Sequence, residues 1–344
     1  MHGDRRWFTG ALIGTSALVL AMQVAPAGAQ VSELRMTEAG GASGESIEKG
    51  YLVPFTKETG IEVVRENPSG LGKLRAMVES GNVTSTLLEL SSPELEQAKA
   101  LDLVEPLDWD AIDPMPIFDE ARDESGYGYQ YYSTIMAWRE DAPAPSNWQD
   151  FWDTENFPGK RALPDYPAYV LPMALLADGV APDELYPLDL DRAFASLEKI
   201  KDDVAVWWQA GAQPPQLLKD NEVQYAVAWS GRVAGQDGVA YSFDQGQLDL
   251  AFFVVPKGAD PASKEAAMGI LHQMSVPDNQ AVAAEVIPYT GNSPDLEPLL
   301  PQDQLDQYPT TTENKDKQFL SDAKWWFENA EEVETRWQEF KLGL

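Results

Sequence analysis

The 344-residue chain contains no cysteine. No disulfide can staple it, no thiolate can act as nucleophile or soft-metal ligand, and no lipid can be tethered to a cysteine after export. An exported chain of this kind has to be held together by its own core. Histidine occurs only as His2 and His272, the latter inside the helical stretch Gly269-Ile270-Leu271-His272-Gln273-Met274. A transition-metal site built on His or Cys is therefore not expected. Basic residues are scarce as well, 25 against 56 acidic, for a net charge of -31. That balance argues against nucleic acid or an anionic membrane as partner. The acids are spread along the whole chain, which fits a solvated surface better than a dedicated cation patch.

Enzyme signatures are also missing. There is no H-E-x-x-H and no G-x-S-x-G, and Gly70-Leu71-Gly72-Lys73 lacks the full spacing of a phosphate loop. No carboxylate pair is singled out by spacing for acid–base work. The chain is expected to carry no catalytic residue, no metal and no cofactor, and to be a monomer.

The first 29 residues read as an export signal. Arg5 and Arg6 form a basic start, Ala11 to Val24 an apolar stretch, and Ala27-Gly28-Ala29 a small-residue cleavage site near Ala29. Arg5-Arg6-Trp7-Phe8 resembles a twin-arginine motif, with Asp4 where a serine or threonine is usual. No later segment has ~18 consecutive apolar residues. The remaining ~315 residues are enough for two lobes.

What is present is a rhythm. Strand candidates at 33–37, 61–64, 86–90 and 103–107 alternate with helices, the pattern of an α/β fold with a mostly parallel sheet. The rhythm breaks at Tyr127 to Trp138, YGYQYYSTIMAW, a long strand able to cross between lobes. A second α/β region follows, with strands near 204–208 and 224–229, and LDLAFFVVPKG (248–258) reads as a second crossing. Adjacent Tyr131 and Tyr132 point to opposite faces of their strand, one to core and one to a cleft. The tail from Thr312 is helical, and its tryptophans read as packing.

Residues 225–235, YAVAWSGRVAG, place Arg232 just beyond a buried strand and beside Trp229. A guanidinium there needs an anionic partner. Either a carboxylate of the protein or one belonging to a ligand satisfies it.

Several stretches resemble the periplasmic solute-binding proteins of ABC importers, in the spermidine/putrescine-binding branch with its 4-aminobutyrate-binding relatives. They are PFTKETGIEV (54–63), KLRAMVESGNV (73–83), NWQDFWDTENFPGKRALPD (147–165), WWQAGAQPPQLLKDNEVQYAVAWSGR (207–232), LAFFVVPKGA (250–259) and IPYTGNSPD (287–295), in the expected order. The resemblance implies a two-lobed, type II-like α/β binding protein in the periplasm that closes over a small solute and delivers it to a permease. Lobe 1 would hold 31–132 and 256–305, lobe 2 137–252 and 308–344, with hinge crossings near 133–136 and 253–255.

The same resemblance implies where ligand residues fall. Polyamine-binding relatives carry acidic residues at the positions of Tyr166 and Tyr169, and a key aspartate at the position of Ala251. Asp249 stands two residues away on the same strand face. Trp229, Tyr289, Tyr132 and a serine, Ser91 or Ser92, are retained. Ser43 is the polar candidate in the turn after the first strand, although Ser43 and Ser91 also sit where helix caps belong. Gln213 either bonds the ligand or caps the next helix. Loss of acids together with Arg232 favours a carboxylate-bearing solute such as 4-aminobutyrate, with Asp249 taking an amino end. A true polyamine binder is the first alternative. An exported glycoside hydrolase, motivated by 11 tryptophans and many carboxylates, is the second.

Overall fold

Strand and helix alternate from Glu33 onward in the computed structural model, which describes residues 1–3 and 31–343. Apart from Met1–Gly3, the expected export signal lies outside the described residues. Ten strands are present among them: β1 (Glu33–Thr37), β2 (Glu62–Glu66), β3 (Leu87–Ser91), β4 (Val104–Glu105), β5 (Gly126–Arg139), β6 (Arg161–Pro164), β7 (Val204–Trp208), β8 (Tyr225–Trp229), β9 (Val239–Pro256) and β10 (Phe319–Leu320). The main path runs β2-β1-β3-β9-β5-β8-β6-β7. Its two ends, β2-β1-β3 and β8-β6-β7, are parallel. The long strands β5 and β9 join them antiparallel through the middle. No helix among the described residues is long and apolar enough to cross a membrane.

Period-two alternation splits each end into two cores. On the first lobe, Leu87 faces Met36, Phe55 and the helix Pro261–Ser275, while Leu88 and Leu90 face Leu74 and Leu95 on the other side. On the second, Val227 and Leu163 pack against the helices Leu171–Ala177, Leu190–Ile200 and Ala330–Lys341. Ala226 and Ala228 pack on Trp208 and Leu218. Trp326 and Trp337 of the tail are buried in that second-lobe core.

The second long strand begins nine residues earlier than the pattern around Leu248 indicates. Asp244-Gln245-Gly246 lies in a bulge of this strand. Gln245 takes φ 57°, and the β5–β9 register shifts between Thr134 and Met136. Phe252 to Val255 pack within the two first-lobe cores. Earlier on the same strand, Gln247 is the partner of Thr134.

Candidate ligand-binding cleft

A cavity of about 340 Å³ opens where the parallel strands end. Its lining comes from residues at or just beyond the C-terminal ends of β1 (Ala39, Ser43), β3 (Glu89, Ser91, Glu94), β6 (Tyr169) and β8 (Trp229, Arg232), with Gln130 and Tyr132 of β5, Ala251 of β9, and Tyr289. Carboxyl ends of strands in open α/β sheets leave such a crevice because neighbouring chains turn away there in different directions.

The second-lobe wall is aromatic. The Tyr132 and Tyr169 hydroxyls are 3.0 Å apart. Trp229 meets both rings edge-on, at 6.4 and 5.7 Å between centroids. Burial pushes the Tyr132 and Tyr169 phenols well above the ordinary range, and each other's charge and that of Asp249 add to the effect on Tyr132. Both are neutral at any physiological pH, one donating to the other. Tyr289 packs 5.9 Å from Tyr132. Gly231 makes room for it: a Cβ there would lie 2.6 Å from the Tyr289 ring.

Arg232 follows on the short turn Ser230–Val233. Among the described residues no carboxylate forms an ion pair with it, and its buried Nε has no hydrogen-bond partner. The indole N–H of Trp229, three residues earlier, is buried without a partner as well. Burial pushes the Tyr289 phenol up to about 12, and the charge of neighbouring Arg232 together with a hydrogen bond from it opposes that shift. The Trp229 indole N–H and the Arg232 Nε come from residues lining one cavity and are open to an outside acceptor, with the Tyr289 hydroxyl beside the guanidinium.

The first-lobe wall is acidic. Glu89 is 9% exposed, accepting from the Ala39 N–H at 2.7 Å and the Tyr129 hydroxyl at 2.9 Å. Glu94 accepts from the backbone and hydroxyl of Ser91, a capping box for the helix Ser92–Ala100, and from the Leu71 N–H. Ser43 donates to Gln130 at 2.9 Å. Ser92, the alternative to Ser91, instead donates to the Leu250 carbonyl.

The structure thus brings Ser43, Ser91, Tyr132, Tyr169, Trp229, Arg232 and Tyr289 around one cavity. Three other candidates lie outside its lining. Tyr166 stacks on Trp229 at 6.4 Å but is exposed, and its hydroxyl donates to the Gln209 carbonyl. Gln213 accepts from the N–H groups of Gln209 and Ala210. Its oxygen holds the turn before its own helix and does not cap the helix. Asp249 pairs with Tyr132 across the sheet but lines a separate cavity with Ser92, Leu95 and Leu320, where Gln247 donates to it at 3.0 Å. Ala251, one pleat further on, is the residue of that strand that reaches the cleft, and it is apolar. The amino-end role expected of Asp249 is therefore not supported by its position. Glu89 and Glu94, which the sequence reading passed over, supply the carboxylates of the cleft. The signal for Glu89 was its place within Leu87-Leu88-Glu89-Leu90, a lone acid in a leucine strand. Among the described residues no cluster of His, Asp or Glu is arranged to hold a metal ion.

Comparison with known proteins extends this geometry. The profile of the bacterial extracellular solute-binding proteins matches residues 50–314. A gamma-aminobutyric acid-binding protein of Pseudomonas aeruginosa is 35% identical over 91% of this chain and 92% of its own. A spermidine/putrescine-binding periplasmic protein of Escherichia coli is 26% identical over 71% and 74%. An ABC transporter substrate-binding protein of Bradyrhizobium japonicum superposes with a TM-score of 0.84 at 33% identity, covering 90% of this chain and 99% of that one.

Proposed function

Because the chain belongs to the bacterial extracellular solute-binding protein family, we propose that its cleft selects a small carboxylate-bearing solute, of which 4-aminobutyrate is the leading candidate. The protein is the solute-binding component of an ABC importer. Its family consists of transport components, and the cleft is read here as a binding site without turnover. The place of work is the periplasm, as it is for the E. coli spermidine/putrescine-binding periplasmic protein, and the partner is the importer's permease. The single observation that carries the reading is Arg232, a cationic group on the cavity wall with no carboxylate partner. A guanidinium grips a carboxylate through two parallel hydrogen bonds, and the orphan Trp229 N–H offers another donor beside it.

The polyamine alternative is disfavoured at two points. Ala251 stands where the polyamine-binding relatives are expected to carry an aspartate, and Arg232 repels a second ammonium group. The P. aeruginosa relative named for gamma-aminobutyric acid is also closer in sequence than the E. coli polyamine binder. Closure would bend β5 and β9 where their register shifts, around Thr134 to Met136 opposite Ser242 to Gln247. That would bring the Glu89 wall toward the Arg232 wall.

A thermal-shift panel tests the reading: 4-aminobutyrate, short dicarboxylates, aromatic acids, putrescine and spermidine against the wild type and Arg232→Ala. A ligand at ~1,000 times its Kd adds roughly 4 kcal/mol, a shift of several degrees. The expected result is a shift with 4-aminobutyrate or another acid that disappears in the variant. Shifts with polyamines alone would overturn it.

A further inference from the structure

Glu89 is a carboxylate buried in the first-lobe wall of the cleft without a cation. Its two oxygens take one neutral donor each, the Ala39 N–H and the Tyr129 hydroxyl, so acceptor capacity remains on both. The charged groups around it do not neutralise it. Glu38, at the end of β1, faces it and is already paired with Arg65 of β2 at 3.0 Å. Glu94 faces it from the helix Ser92–Ala100, its own oxygens taken by the capping box and Leu71. On the β5 side stands Tyr129, with Tyr51 beyond it. A buried acid flanked by two further acids costs stability unless a positive charge reaches it, and its open side is the ligand cavity.

We propose that Glu89 is the ammonium-binding group of the cleft, so that the solute is a zwitterionic amino acid spanning the two lobes with its amino end on Glu89. The proposal rests on the reading of Arg232 as the carboxylate partner. It narrows the substrate class from acids in general to those with a distal amine, and it links capture to closure, because one charge of the ligand is held by each lobe. Glu94 shares the wall but is engaged as a cap, which assigns the primary contact to Glu89.

The site also has a proton signature. Burial pushes the Glu89 carboxyl up to about 7, the charges of Glu38 and Glu94 add to this, and the bonds from Ala39 and Tyr129 oppose it. An ammonium group favours the ionised form, so binding below neutrality must expel a proton. Affinity is then expected to fall about tenfold per pH unit below the titration point and to level off above it. The ligand's own carboxyl and amine titrate far from this window. Asp249 titrates within it, so it needs a separate control.

The experiment is calorimetric titration of the purified protein with 4-aminobutyrate and with butyrate, which lacks only the amine. Wild type is expected to prefer 4-aminobutyrate by at least about thirtyfold, since a site built for a polar group rejects the analogue lacking it. Glu89→Gln should bring the two within about threefold while butyrate binding persists, and should flatten the pH dependence. Should Glu89→Gln fold poorly, wild type alone decides. Titrations in buffers of different ionisation enthalpy should show close to one proton released per ligand at pH 6 and none at pH 8.5. An unchanged preference in Glu89→Gln, a pH dependence removed by Asp249→Asn instead, or no proton release at pH 6 would each overturn the proposal and leave Arg232 untouched. Failure of wild type to bind either carboxylate would sink the underlying reading of Arg232.

Discussion

Two arginines of the second lobe stand in opposite circumstances. Arg161, at the start of β6, is fully buried. Its guanidinium is enclosed by main-chain carbonyls of Phe151, Gly159 and Phe157, and it lies 4.7 Å over the ring of Tyr225. Arg232 is less buried, faces a cavity, and has a buried Nε that no group of the chain accepts from. The first is architecture, a cation that knots the loop 151–161 onto the strand behind it. The second keeps a donor free at the cavity wall, beside the free indole N–H of Trp229. Residue type alone does not separate the two. The number of partners does.

The comparison breaks most visibly at Arg161. Arg161→Met would leave several carbonyls unsatisfied in the interior and is expected to lower the melting temperature by about 10 °C. A thermal melt checks this, and a change below 2 °C would show that Arg161 is not a structural knot. Arg232→Ala should do the reverse. Affinity for the carboxylate ligand should fall about a hundredfold in a calorimetric titration, while the ligand-free melting temperature stays within about 2 °C. Gly231→Ala sharpens the contrast from the side. Its Cβ would press on Tyr289 and misplace the wall beside Arg232, so about a tenfold loss of affinity is expected with the fold intact.

The smallest effect belongs to Asp249, a buried acid outside the cleft. Burial pushes its carboxyl up to about 7 from an ordinary value near 4, and a Gln247 bond opposes this. The folded state therefore prefers the protonated form. The stability this gives is complete below pH 4 and is lost as pH rises toward and through 7. Asp249→Asn should raise the melting temperature by a few degrees at pH 8 and leave it unchanged near pH 4, without altering ligand affinity. Equal effects at both pH values would show that Asp249 titrates alike in the folded and unfolded chain.

Much of this molecule is legible from its residues. The strands β1, β3 and β8 follow from apolar runs ending in turn residues, and the crossing strand β5 from its aromatic length. Helix ends follow from Gly60 and Gly81, both left-handed as their positions require. Trp229, Arg232, Tyr169 and Tyr289 are visible as a set because they stand just past strand ends or in a loop that resembles a known family. Less legible were the features that depend on one residue of register. Asp249 and Ala251 share a strand face, and only the three-dimensional course of β9 decides which of them reaches the cleft. Gln245, at φ 57°, sits in the bulge through which β9 reaches back to Val239. Glu89 is hidden among 56 acidic residues unless the leucines around it are weighed. Gln213 fits a cap and a ligand contact equally well until its acceptor is seen spent on the Gln209 and Ala210 amides.

The most direct test is a crystal structure of the protein with whichever solute gives the largest thermal shift. The expected result is a ligand carboxylate with both oxygens ~2.7–2.9 Å from the Arg232 guanidinium nitrogens, the distance of charge-assisted pairing. A ligand whose charged end lies elsewhere, with Arg232 turned onto a carboxylate of the protein, would contradict the account.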